Sequence, residues 1–149
     1  MSTVNSWLTE VSPQGNSPFE LNMHGQCFIQ ADNDIEVQVI EHPKQDYFTV
    51  NAVIVKKETV ESSDYVRQLL SANLFQPLLV GSAVAFDSKS QQYVLSFTQS
   101  VTSFDGPSFR ELLTLMIESV GRMQQSLREY KALQVVYPTN PLDAPKPRS

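Results

Sequence analysis

A single cysteine, Cys27, rules out an internal disulfide, so the fold must be held by its core, and the thiol count fits a reducing compartment. Glycine is scarce, five residues scattered along the chain, and no P-loop, G-x-G-x-x-G or G-x-S-x-G segment occurs. That removes the common phosphate cradles and the strained nucleophile turn. The only two histidines are His24 and His42. No apolar run approaches the ~20 residues of a membrane-spanning helix. The stretch from Met1 to Glu10 has neither the basic nor the apolar region of a secretory signal, which predicts a soluble, cytosolic protein.

Positive charge is also in short supply: 11 Lys and Arg stand against 16 Asp and Glu, a net charge of −5 over 149 residues. The deficit is uneven. Residues 1–130 hold eight basic against fifteen acidic side chains, whereas the tail holds Lys131, Lys146 and Arg148 against Asp143. An acidic body repels phosphate backbones and anionic lipid, which argues against nucleic-acid partners and membrane insertion. The same charge keeps a protein soluble while it offers apolar surface.

Candidate chemistry is thin. His24 and Cys27 form an H-x-x-C pair that His42 could extend, but a zinc site takes three or four converging ligands and there is no second cysteine. Asp32, Asp34 and Glu36 lack the glycine and the distal glutamate of an EF-hand loop. The two aspartates read as turn residues, and Glu36 as the outward member of an alternating strand. No metal, no cofactor and no catalytic residue is expected; the chain does not read as an enzyme.

What is present is pattern. Val4, Trp7, Leu8 and Val11 fall at i, i+3, i+4, i+7, a short helix that Ser2 or Thr3 can cap and Ser12-Pro13 stops. Cys27–Ala31, the alternating Ile35, Val37 and Val39, and Tyr47–Val55 predict three strands. They are joined by turns at Asp32-Asn33-Asp34 and at His42–Asp46. A second helix runs from Ser62 or Ser63 to about Phe75, with Tyr65, Val66, Leu69, Leu70 and Leu74 apolar, and Pro77 ends it. Strands over Leu79–Phe86 and Gln92–Thr98 follow.

The last helix starts at Asp105 or Ser108, where Ser108 and Glu111 could make a capping box. It keeps one apolar face from Phe109 to Tyr130. Residues 131–149, with Pro138, Pro141, Pro145 and Pro147, read as a disordered tail outside a domain of residues 1–130. Pro138 and Pro141 also match a P-x-x-P spacing. The order helix, three strands, helix, two strands, helix predicts an α+β domain, an antiparallel twisted sheet with its helices mainly on one face. So small a domain cannot bury all these apolar faces, which predicts a self-association surface, a partner surface or both.

Three segments, Leu69-Leu70-Ser71-Ala72-Asn73-Leu74-Phe75, Gly81-Ser82-Ala83-Val84-Ala85-Phe86-Asp87 and Tyr93-Val94-Leu95-Ser96, carry a resemblance. In this element order the chain resembles a class I type III secretion chaperone, of the group typified by the chaperone of the translocated intimin receptor. The resemblance implies a homodimer in the bacterial cytoplasm that uses no nucleotide. It would hold the N-terminal segment of a secreted effector extended and non-globular, with the export ATPase as a further partner. It implies a dimer interface at Val66, Leu69, Leu70, Leu74, Val84 and Phe86, and effector-binding grooves at Trp7, Phe28, Ile29, Val37 and Val50. The choice within each strand depends on register, since a slip of one residue exchanges the two faces. The first helix is shorter than the family pattern, and the proline-rich tail lies outside it. Two other readings compete: an α+β regulatory domain that binds a folded partner, and a small-molecule enzyme or ligand-binding protein.

Overall fold

Ser2 opens the first helix, α1 (Thr3–Val11), by accepting the Asn5 N–H on its hydroxyl at 3.0 Å. The computed structural model describes residues 2–56, 63–75 and 81–136, and within these not the side chains of residues 63, 74, 75 and 130–136. Next come β1 (Gln26–Gln30), β2 (Glu36–His42) and β3 (Tyr47–Lys56), then α2 (Ser63–Phe75), β4 (Ser82–Asp87), β5 (Gln92–Ser100) and α3 (Gly106–Val136). The first turn of the meander places Asn33 and Asp34 at φ 61° and 59°, the left-handed backbone that these residue types tolerate. At the start of α3 the carboxylate of Asp105 accepts the Ser108 N–H at 2.8 Å. Asp105 is therefore the cap, and Ser108 lies inside the helix rather than opening a capping box.

The strands form one antiparallel sheet in the order β1-β2-β3-β5-β4. The α2 connection carries the chain from β3 past the place of β5 to the edge strand β4, and a tight turn brings β5 back into the gap. Register sorts the side chains into cross-strand rows. Ile29, Val37, Ala52, Leu95 and Val84 make one row across all five strands. Cys27, Val39, Val50 and Phe97 make the next, and both rows join the core under the helices. The opposite face shows Phe28, Gln38, Asn51, Ser96 and Ala83 in one row, and Val53, Val94 and Ala85 in another.

The core centres on aromatic rings. Trp7 meets Phe48 and Phe109 edge-on, with centroids 5.5 and 5.4 Å apart, and Phe104 stands 5.2 Å from Phe48. Along α3, Phe109, Leu112, Leu113, Met116, Val120, Met123 and Leu127 are buried, the face that the sequence period predicts. A register shift between Val53 and Val55 inserts Ile54 as an extra residue in β3; its carbonyl accepts the side-chain amide of Gln124 from α3 at 3.1 Å. Among the described residues no helix is long and apolar enough to cross a membrane.

Candidate functional site

The sheet has two edges, and the chain treats them differently. At the β1 edge, Gln26 turns both backbone groups away from β2: Asn22 accepts its N–H on the side-chain oxygen at 3.0 Å and donates its own N–H to the Gln26 carbonyl at 2.7 Å. Gly25, at φ 73°, makes the tight entry to the strand, where an added Cβ would stand 3.1 Å from the Glu41 carbonyl. In an antiparallel ladder outward-facing backbone recurs every second residue, so Phe28 and Gln30 also face out. Neither finds a backbone partner on that side among the described residues. This short open edge can pair with an added strand.

Beside it, on the helix-free face, lies a depression of about 650 Å³ lined by Phe28, Gln38, Asn51, Val53, Val94 and Asp87 among others. Phe28 is 67% exposed and stands at its β1 side. The same face turns polar toward the other end of the strands. There Thr49 Oγ1 lies 2.8 Å from Thr98 Oγ1, and His42 Nε2 lies 3.1 Å from Thr49 Oγ1.

Further exposed apolar side chains stand on α2 and on β4. Leu70 is 46% exposed, and Phe86 is 41% exposed with its ring 4.9 Å from Tyr93. Val66 is half-buried on the same helix.

The structure divides the residues expected at the two surfaces. Phe28 is exposed and Ile29 half-buried at the open edge, but Trp7, Val37 and Val50 are buried in the protomer's own core. The last two follow from strand parity, because their rows face the helices. Trp7 is only 5% exposed because its ring fills the gap between β3 and α3. Val37 nevertheless borders the depression, whereas Trp7 and Val50 do not line it. At the other surface Leu70, Phe86 and Val66 are accessible, while Leu69 and Val84 are buried in the core. The side chain of Leu74 lies outside the described residues, as do residues 137–149 with their P-x-x-P spacing.

Sequence reasoning missed Val53 and Val94, whose signal was the excess of β-branched residues on both faces of the strands. It also missed Asn73, whose side-chain amide meets the N–H and the carbonyl of Val84 at the β4 edge.

His24, Cys27 and His42 do not converge: among the described residues no three His, Cys, Asp or Glu side chains are grouped to hold a metal ion. Burial pushes the Cys27 thiol above its ordinary pKa, partly offset by a hydrogen bond from the Glu20 backbone. A buried thiol with a raised pKa favours its neutral form. Asp32 and Asp34 sit in their turn, and Glu36 points out of β2.

No sequence among curated proteins matches the chain. Solved structures match it in fold. The ExsC–ExsE complex aligns with a TM-score of 0.71 at 18% identity, over 83% of this chain and 92% of that one. The HopA1–SchA chaperone–effector complex aligns at 0.63 and 15%, over 83% and 91%. The Yersinia pestis type III secretion chaperone SycH, in complex with a stable fragment of YscM2, aligns at 0.59 and 19%, over 81% and 99%. The model of the Tir chaperone protein (CesT) family matches residues 8–124, from within α1 through most of α3, and the chain belongs to that family.

Proposed function

We propose that this protein is a cytoplasmic, homodimeric chaperone that holds the N-terminal segment of a type III secreted effector extended for export. The single observation that carries the reading is the open β1 edge, Phe28 to Gln30, beside the apolar depression on the helix-free face. Family membership supports it, as do the fold likenesses to a chaperone–effector complex and to a type III secretion chaperone. A client strand added to β1 gains main-chain hydrogen bonds that are blind to sequence. Its alternate side chains then fall toward Phe28 on one face and Ile29 on the other, which supplies the selectivity. Leu70, Phe86 and Val66, on α2 and β4, form the dimer surface in this reading. A mostly acidic body keeps the complex soluble while apolar surface is shared, and the export ATPase is the partner that would take the loaded chaperone.

The test is a native pull-down of the tagged chain from cells expressing the secretion system, followed by limited proteolysis. One stoichiometric client, trimmed to a protected segment near its N-terminus, is the expected result. A client that stays protease-resistant as a globule would overturn the reading in favour of a regulatory domain.

A further inference from the structure

The β4 edge should be the more dangerous of the two. Between Ser82 and Phe86 it carries no charge and no proline, and Phe86 is 41% exposed, a composition that invites edge-to-edge pairing. At its middle a side chain of α2 intervenes. Val84 stands opposite Leu95 in the middle of β4, and its bonds to Asn73 show that its backbone faces away from β5. Its N–H donates to Asn73 Oδ1 at 2.5 Å, and its carbonyl accepts from Asn73 Nδ2 at 3.2 Å. A carboxamide offers one acceptor and a donor at the spacing of a peptide group, so Asn73 occupies the edge as a paired residue would. Asparagine is a poor helix former, and here it stands in α2 on an otherwise good helical pattern. The edge contact is the return for that cost.

We infer that Asn73 closes the β4 edge to strand pairing, leaving the Phe28–Gln30 stretch of β1 as the receptive edge of the sheet. Confinement of a client to β1 rests on the chaperone reading; closure of β4 against a second copy of this chain does not. The full-length chain with Asn73→Leu, which keeps the side chain's branching and loses both hydrogen bonds, tests it without any client. Hydrogen exchange at the Val84 amide should quicken by roughly tenfold while the Leu95 and Val50 amides keep their rates. Light scattering should show species heavier than the parent assembly growing with concentration. Adding Ala85→Lys, a charge on the same edge, should return them to the parent size. If Asn73→Leu does not fold, Asn73→Ala carries the same readouts. Parent-like exchange at Val84, a parent-like size at every concentration, or heavy species that survive Ala85→Lys would each overturn the inference. Because no client is present, such a failure leaves the chaperone reading standing, and a failed pull-down leaves the edge closure standing.

Discussion

Replacing Trp7 by alanine should strike stability before it touches any binding surface. The ring is 5% exposed and packs edge-on against Phe48 and Phe109, with Phe104 at 6.5 Å. Truncating so large a buried aromatic costs about 3–5 kcal/mol, of which each edge-to-face pair supplies about 0.5–1.5. A domain of this kind has ~5–15 kcal/mol in all. At about 3 °C for each kcal/mol, the melting temperature should fall by roughly 10 °C or more. The loss centres on α1, whose nine residues cannot hold a helix alone and dock through Val4, Trp7 and Leu8. The bond from Arg110 to the Glu10 carbonyl, at 2.7 Å, would still tie its end to α3. Thermal melts followed by far-UV circular dichroism, at one fixed protein concentration because association shifts the midpoint, measure it. Since Trp7 is the sole tryptophan, its fluorescence in the parent protein reports the docking of α1 directly. A drop of less than about 3 °C would refute the packing argument and return Trp7 to the surface.

The other expectations are more local. Phe28→Asp, at a 67% exposed position, should leave the melting temperature within about 2 °C of the parent yet release the client recovered by pull-down; retention at parental levels would clear Phe28 of a binding role. Leu70→Asp should convert the dimer to monomer at micromolar concentration in light scattering, and a dimer that persists would move the interface off α2. Cys27 should react with a disulfide reagent only as fast as the protein opens. Its raised pKa favours the neutral thiol, so any stability it contributes is full below the ordinary thiol range and fades as the pH rises through the raised value. Asp87 is held below the usual carboxylate range first by the Ser90 side chain and then by the Lys89 and Ser90 backbone. Its contribution is present above the ordinary carboxylate pKa and is lost as the pH falls through the lowered one. Asp87→Asn should therefore flatten the acid limb of the stability curve slightly, and an unchanged limb would exclude that term.

Period and turn chemistry carried most of the architecture. Ile35, Val37 and Val39 alternate as a half-buried strand must, and β2 forms there; the Asp32-Asn33-Asp34 turn adopts the left-handed backbone that its residue types permit. What period could not supply was the side of the sheet on which each alternating set falls. Val37 and Val50 show why. Both belong to well-formed alternating strands, yet only pairing with Val39, Ala52, Leu95 and Phe97 commits them to the helix face. Leu69 differs from Leu70 for a helical reason: the residues are neighbours in sequence, about 100° apart around the axis, and one is buried while the other is exposed.

Each of the two expected surfaces keeps members that face outward for a physical reason. Phe28 follows the strand parity opposite to Cys27, and Leu70 follows the helical angle away from Leu69. Asn73 belongs to neither apolar set, and no periodic reading could have singled it out. Its importance comes from a backbone, that of Val84, eleven residues away and across a strand edge. Polar residues that finish an edge are set by tertiary placement rather than by local pattern. A sheet whose one edge is met by a side-chain amide and whose other is left open among the described residues is asymmetric by construction, and in the proposed function that asymmetry directs an extended client to β1.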